Sequence, residues 1–345
     1  MLKKLKALAP VIIVLFLYST CWKYQPSDER QVSKAECGCA EVDKKTDLAK
    51  LQISANVTLA QLNITGKAER VSLFFNRVPK VGSQSINRLL EHLQTSNRFS
   101  FAKDKVNNVE QIVMNRDKER VLAGDISKHT VGTVYSKHVA MVDFHRYNLP
   151  TPIYINLVRH PTDRLVSWFY YIRAAWYIVE RKRLFPGNPL PSSSWIKKDF
   201  DSCVSNPRDT ECQYLQGDRE GWGDHRRQSV FFCGMDPDCV PFNSKAAIAK
   251  AKENVEKYYA VVGVLEDLNK TLTVLEHFVP RFFAGAVKTY WATSSTVNRN
   301  ALKPPVSDHT RELVAANLTE EIDFYLWCRH RLNTMYYTLV RDGIV

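Results

Sequence analysis

Short apolar runs alternate along this chain with segments whose apolar residues recur at helical spacing. Val71 to Phe75 is rich in β-branched and aromatic residues, and Ile86, Leu89, Leu90 and Leu93 follow at helical intervals. That pattern predicts a buried strand, a brief loop and a helix over about Ser83 to Thr95. A second couplet begins at Pro152 to Arg159, apolar at nearly every position as an interior parallel strand should be. Pro161 suits the first turn of the helix that follows, predicted from Thr162 to about Arg183 with Leu165, Trp168, Phe169, Ile172 and Trp176 along one face. A third joins the strand Ala260 to Leu265 to a helix from Leu268 to Phe278. Lys137 to Phe144 alternates enough to be read as a strand, and 107–123 reads as mixed. Phe185 to Gly223 is a Pro-, Gly- and Ser-rich insertion with one helix near Trp195 to Cys203, Ser244 to Tyr258 is an amphipathic helix, and two helices close the chain after Ser307. Apolar strands alternating with helices predict an α/β domain around a mostly parallel sheet.

The N-terminus adds a different pattern. Lys3, Lys4 and Lys6 precede an apolar run over 7–22, and no small-residue cleavage site follows it. Positive charge ahead of a short span predicts a type II signal-anchor: residues 1–6 cytosolic, 7–22 across the membrane, and the rest in the lumen of the secretory pathway. A cleaved signal peptide is the competing reading. Residues 23–70 are polar without sustained periodicity and are read as a stem, with the folded domain at 71–345.

Two features suit a lumen. Sequons stand at Asn56, Asn63, Asn269 and Asn317. Cys203 with Cys212, and Cys233 with Cys239, have the spacing of short local disulfides, which leaves Cys328 unpaired; Cys37 and Cys39 are not decided. Zinc is the alternative for these cysteines, but neither pair has C-x₂-C spacing, and no metal is expected. The net charge of +12 from 48 Lys and Arg against 36 Asp and Glu points to an anionic partner. A luminal position makes nucleic acid a poor candidate and an acidic glycan a good one.

The loop Asn76-Arg-Val-Pro-Lys-Val-Gly-Ser83 carries the chemistry. A strand, a glycine-containing loop and a helix start present backbone N–H groups to a phosphate. Gly82 allows close approach, Ser83 can cap the helix, and Lys80 supplies a point charge. An ordinary strand-turn-helix junction would look the same in outline. The Walker A pattern is absent, which disfavours a P-loop kinase.

Phe75-Asn-Arg-Val-Pro-Lys-Val-Gly-Ser83 resembles the 5′-phosphosulfate loop of the Golgi glycosaminoglycan uronosyl 2-O-sulfotransferases, heparan sulfate 2-O-sulfotransferases among them. Pro152-Ile-Tyr-Ile-Asn-Leu-Val-Arg-His-Pro-Thr-Asp-Arg-Leu-Val-Ser167 resembles their 3′-phosphate segment. The likeness runs from about Ser72 to the C-terminus through Phe231-Phe-Cys-Gly234 and Tyr259-Ala-Val-Val-Gly-Val-Leu-Glu-Asp267. It implies a P-loop-like sulfotransferase fold, with 3′-phosphoadenosine 5′-phosphosulfate (PAPS) as donor and the 2-hydroxyl of a uronic acid as acceptor. Lys80, Val81, Gly82, Ser83 and Gln84 would hold the 5′-phosphate side, and Arg159 and Ser167 the 3′-phosphate. Lys80 would also stabilise the departing oxygen, and His138 would be the base, with His145 and His160 as weaker candidates. The resemblance further implies that Arg77 contacts the acidic acceptor and that the chain forms a homo-oligomer, a trimer if the family pattern holds. Arg181 and Arg183 are assigned to the acceptor, although the preceding Ala174-Ala-Trp-Tyr-Ile-Val-Glu180 departs from the heparan enzymes and leaves the uronic acid and glycan backbone open. A glycan-binding protein without turnover would keep the same fold.

Overall fold

The structure is a computed structural model that describes residues 57–104, 111–129, 131–219, 225–293 and 303–345. The tail, the apolar run 7–22, most of the stem, Cys37, Cys39 and Asn56 lie outside the described residues. Among the described residues no helix is long and apolar enough to cross a membrane.

Five parallel strands form the sheet in the order β2-β3-β1-β4-β5. They are β1 (Arg70–Phe75), β2 (Ser100–Lys103), β3 (Thr133–Ser136), β4 (Pro152–Val158) and β5 (Tyr259–Val264). β1 and β4 sit side by side, pairing Phe74 with Tyr154 and Phe75 with Ile155. Every residue of β4 and β5 is buried. The helices that serve the argument are α1 (Ser83–Ser96), α2 (Arg116–Lys128), α3 (Pro161–Arg173), α4 (Ala175–Leu184), α5 (Lys245–Tyr258), α6 (Leu268–Phe278), α7 (Ala286–Thr293), α8 (Asp308–Ala316) and α9 (Thr319–Arg341). Although β5 lies at the sheet edge, α6 and α9 cover it, and Arg331 Nη2 donates to Tyr259 O at 3.0 Å. α6 lies close: the Thr271 hydroxyl accepts from Val264 N at 2.9 Å and donates to Val264 O at 3.0 Å, while a Cβ on Gly263 would collide with that threonine.

Three expectations need correction. The strand read at Lys137 to Phe144 is instead β3, just upstream. Residues 139–142 are buried but irregular, and they find backbone partners outside a ladder: Ala140 N donates to Ile112 O and Met141 N to Phe231 O. Alternation signalled burial, but the neighbouring strand edge was already taken by Thr133–Ser136. The helix expected through Arg183 breaks at Ala174, which is extended. Arg173 there turns inward, its guanidinium bonding Phe169 O, Trp195 O and Glu211, so Trp176 leaves the apolar face and is exposed. The helix near Trp195 to Cys203 is two short turns, Ser193–Ile196 and Phe200–Ser205.

The packed unit also takes in residues ahead of Val71: Ile64 is buried, and Arg341 near the end of α9 donates to Val57 O at 2.8 Å. Both expected disulfides form, Cys203–Cys212 within a small second core under the insertion and Cys233–Cys239 in the main one. Cys328 is free and buried in α9. Asn63, Asn269 and Asn317 are exposed.

Candidate active site

In an open parallel sheet, ligands bind beyond the carboxyl ends of the strands. Here Lys80 follows β1, His138 follows β3 and Arg159 follows β4, and these three strands are neighbours. The chain positions the residues through buried polar anchors that no local motif signals. Asn156, in the middle of apolar β4, accepts from Val78 N at 3.2 Å and donates to Asn76 O at 2.7 Å. Asn76 in turn donates to Phe231 O at 2.7 Å, and Tyr259 Oη donates to its side-chain oxygen at 3.0 Å. The loop after β1 is thereby tied to β4, β5 and the Phe231 segment.

Beyond that anchor Lys80 adopts a left-handed backbone with φ +66°, sparsely populated for a side-chain-bearing residue. Gly82 follows at φ +79°, where a Cβ would come within 2.7 Å of Leu265 Cδ1, so the position calls for glycine. Gly82, not Ser83, is the N-cap of α1, and no side chain caps the helix. The first amides of α1 and its positive dipole end are therefore left without a side-chain cap, the arrangement that suits an anion. Val81 and Ser83 are buried and Gln84 is exposed.

Arg159 Nη1 donates to Lys80 O at 3.3 Å, joining the end of β4 to the loop after β1. Its own backbone N–H donates to Gln228 Oε1 at 3.2 Å, and Gln228 N donates to the buried carboxylate of Glu321 in α9 at 2.9 Å. Arg227 is buried near Glu321. Gln228 and Glu321 were missed by sequence reasoning; a polar residue just before an apolar run such as Val230 to Cys233 was the only available signal.

Burial first, and then the charges of Arg159 and Lys303, lower the Lys80 ammonium to about 7. The Nζ rests 3.5 Å above the ring of Tyr171. Such a concentration of positive charge is a ready site for phosphate, which would return Lys80 to its cationic form. Ser167 lies on α3, half-buried, and Asp163 on the same helix pairs with Arg311 of α8 at 2.8 Å.

His138 follows β3 rather than preceding a strand. Its Nδ1 lies 2.8 Å from Arg77 O. A carbonyl only accepts, so Nδ1 carries the proton and Nε2 keeps its lone pair. Burial, followed by the charge of Arg77, holds the imidazole well below its ordinary 6.5, so it is neutral and able to accept a proton. Arg77 is itself buried beside it. His145 bonds Thr151, which precedes β4 and so belongs to the opposite end of the sheet. His160 packs on Tyr325 at the start of α3. Arg181 stacks on Phe185 at 4.1 Å and, with Tyr177 and Trp195, lines a cavity of about 310 Å³, while Arg183 is exposed. Cys203, Asp209 and Glu211 come together elsewhere, but the sulfur is in a disulfide and Lys198 bonds both carboxylates.

Residues 67–327 match the model of the Sulfotransferase family. Uronyl 2-sulfotransferase homolog pip of Drosophila melanogaster is 46% identical over 285 residues, covering 81% of this chain and 55% of that protein, so the chain spans about half the length of this relative. Heparan sulfate 2-O-sulfotransferase 1 of Gallus gallus is 29% identical over 296 residues, 83% of this chain and 76% of its own length. Its human counterpart is 31% identical over 225 residues, 64% and 58% of the two chains. With the family match spanning most of its length, the chain belongs to the sulfotransferase family.

Proposed function

We propose that this chain transfers the sulfuryl group of PAPS to the 2-hydroxyl of a uronic acid in a glycosaminoglycan. The observation that carries the reading is the placement of Lys80, His138 and Arg159 at the carboxyl ends of three adjacent strands, with His138 Nε2 available as acceptor. In the transfer an oxygen–sulfur bond forms to the acceptor, and the bond from sulfur to the 5′-phosphate oxygen breaks. The acceptor proton goes to Nε2 of His138, and Lys80 with the first amides of α1 meets the charge left on the phosphate. Arg159 and Ser167 serve the 3′-phosphate, as Arg is suited to bidentate phosphate binding. Arg77 and Arg181 serve the anionic acceptor.

The same reading places the chain as a type II protein of the Golgi membrane with its catalytic domain luminal, working as a homo-oligomer. Paired cysteines and exposed sequon asparagines suit that compartment. The test is incubation of the full chain with labelled PAPS and desulfated glycosaminoglycans. Label should appear on the 2-hydroxyl of a uronic acid; label on an amino sugar, or none at all, overturns the reading.

A further inference from the structure

Tyr171, whose ring lies under Lys80 Nζ, belongs to an aromatic group that the fold does not use as core. Its centroid is 5.2 Å from that of Trp176 and 4.7 Å from that of Tyr177, and the latter two are 6.0 Å apart. Trp176 is 56% exposed, and α4, which carries it, has no buried residue. A tryptophan is usually drawn largely into the interior for the area it can bury. One left open beside a reacting group has its large face available to a ligand. Tyr177 continues the surface into the cavity that Arg181 and Trp195 share.

We propose that Trp176, set nearly perpendicular to Tyr171 and Tyr177, forms with them an aromatic ledge on which a pyranose ring of the anionic glycan stacks, carrying the acceptor to the transfer point. This deepens the sulfotransferase reading and rests on it. The occupant is indicated by continuity with the site and by charge. The ledge begins at the ring that touches Lys80 and ends beside Arg181, whose guanidinium suits a carboxylate or sulfate on a neighbouring sugar. The flat apolar C–H face of a pyranose fits an indole or phenol ring, while its hydroxyls and acidic groups stay toward solvent and arginine. An aromatic ledge binds by shape.

The test uses the full chain, with O-desulfated heparan sulfate as the probe. Trp176→Ala should raise the acceptor KM by on the order of tenfold, the scale of one lost aromatic contact, with kcat and affinity for 3′-phosphoadenosine 5′-phosphate unchanged. Trp176→Phe should restore most of the loss. Tryptophan fluorescence should change on glycan addition without donor, and that change should vanish in Trp176→Ala. This binding arm stands even if the chain transfers no sulfate, so failure of the ledge and failure of the enzymatic reading are told apart. An unchanged KM together with an unchanged fluorescence response overturns the proposal. So does a Trp176→Ala variant whose sedimentation changes while its glycan binding does not, which would make the ledge a contact between copies of this chain.

Discussion

Buried hydrogen bonds hold the loop after β1, whereas α4 is held through half-buried side chains such as Tyr177, Ile178 and Arg181. Asn76, Asn156, Gln228 and Glu321 are all at most 1% exposed, and their bonds connect residues far apart in the chain. α4 hangs from an extended break at Ala174, buries no residue and presents Trp176, Val179 and Leu184 to solvent. Tyr171 of α3 links the two, touching Lys80 on one side and Trp176 and Tyr177 of α4 on the other. A donor that never varies rewards a site preorganised to the last hydrogen bond, since electrostatic stabilisation works when groups need not move at the moment of reaction. On the proposed function, an acceptor that varies along a polymer is better met by side chains on a lightly attached element.

The comparison breaks most visibly at the base. His138→Ala should lower transfer by about 10²–10⁴-fold, the range for a general base, and leave calorimetric affinity for 3′-phosphoadenosine 5′-phosphate nearly unchanged. Full activity in that variant rules His138 out. Because burial and Arg77 keep its imidazole well below 6.5, the ascending limb of turnover should lie below the ordinary histidine range. A limb centred near 7 would instead point to a different base. Next in size, Lys80→Ala should cost roughly 10²–10³ in kcat, as loss of one preorganised donor does; unchanged kinetics in a folded protein removes it from the site.

Smaller effects sharpen the donor side. Asn156→Leu strands Val78 N and Asn76 O, so it should destabilise the fold by about 1–3 kcal/mol, read by chemical denaturation; a neutral result would mean the loop is not held from β4. Gln228→Leu removes the acceptor for Arg159 N and should raise the donor KM about fivefold, the equivalent of one net hydrogen bond near 1 kcal/mol, without touching the acceptor KM. The smallest signal is a proton. Lys80 sits at about 7 in the free protein and is restored to its cationic form by an anion, so nucleotide binding at pH 8 should take up protons and weaken as pH rises through 7 to 9. Calorimetry in buffers of different ionisation heat reads this directly, and absence of uptake would mean that Lys80 does not meet the phosphate.

What the sequence disclosed follows the same division. β1, β4 and β5, the loop between β1 and α1, and both local disulfides were legible because each is written in consecutive residues: an apolar run, a glycine at a turn, cysteines a few positions apart. β2 was missed because Ser100–Lys103 is short and half-exposed, and β3 was misplaced because buried irregular backbone at 139–142 alternates like a strand. Asn156 and Gln228 were invisible as anchors since their partners lie many residues away. The helix expected through Trp176 failed at Ala174 because the tertiary bonds of Arg173 override helical spacing.

The last helix has a consequence for how this protein is made. α9 covers β5, supplies Glu321 to the segment that supports Arg159, and reaches Val57 through Arg341. Its residues are synthesised after every strand of the sheet. Until then β5 lacks its cover and Gln228 its carboxylate, so the nascent chain can assemble strands but cannot complete the support of Arg159. A chain stopped short of Thr319 would carry an open sheet edge, a template for pairing with another chain. An intact α9 is thus a condition of clean folding as well as of the geometry around Arg159.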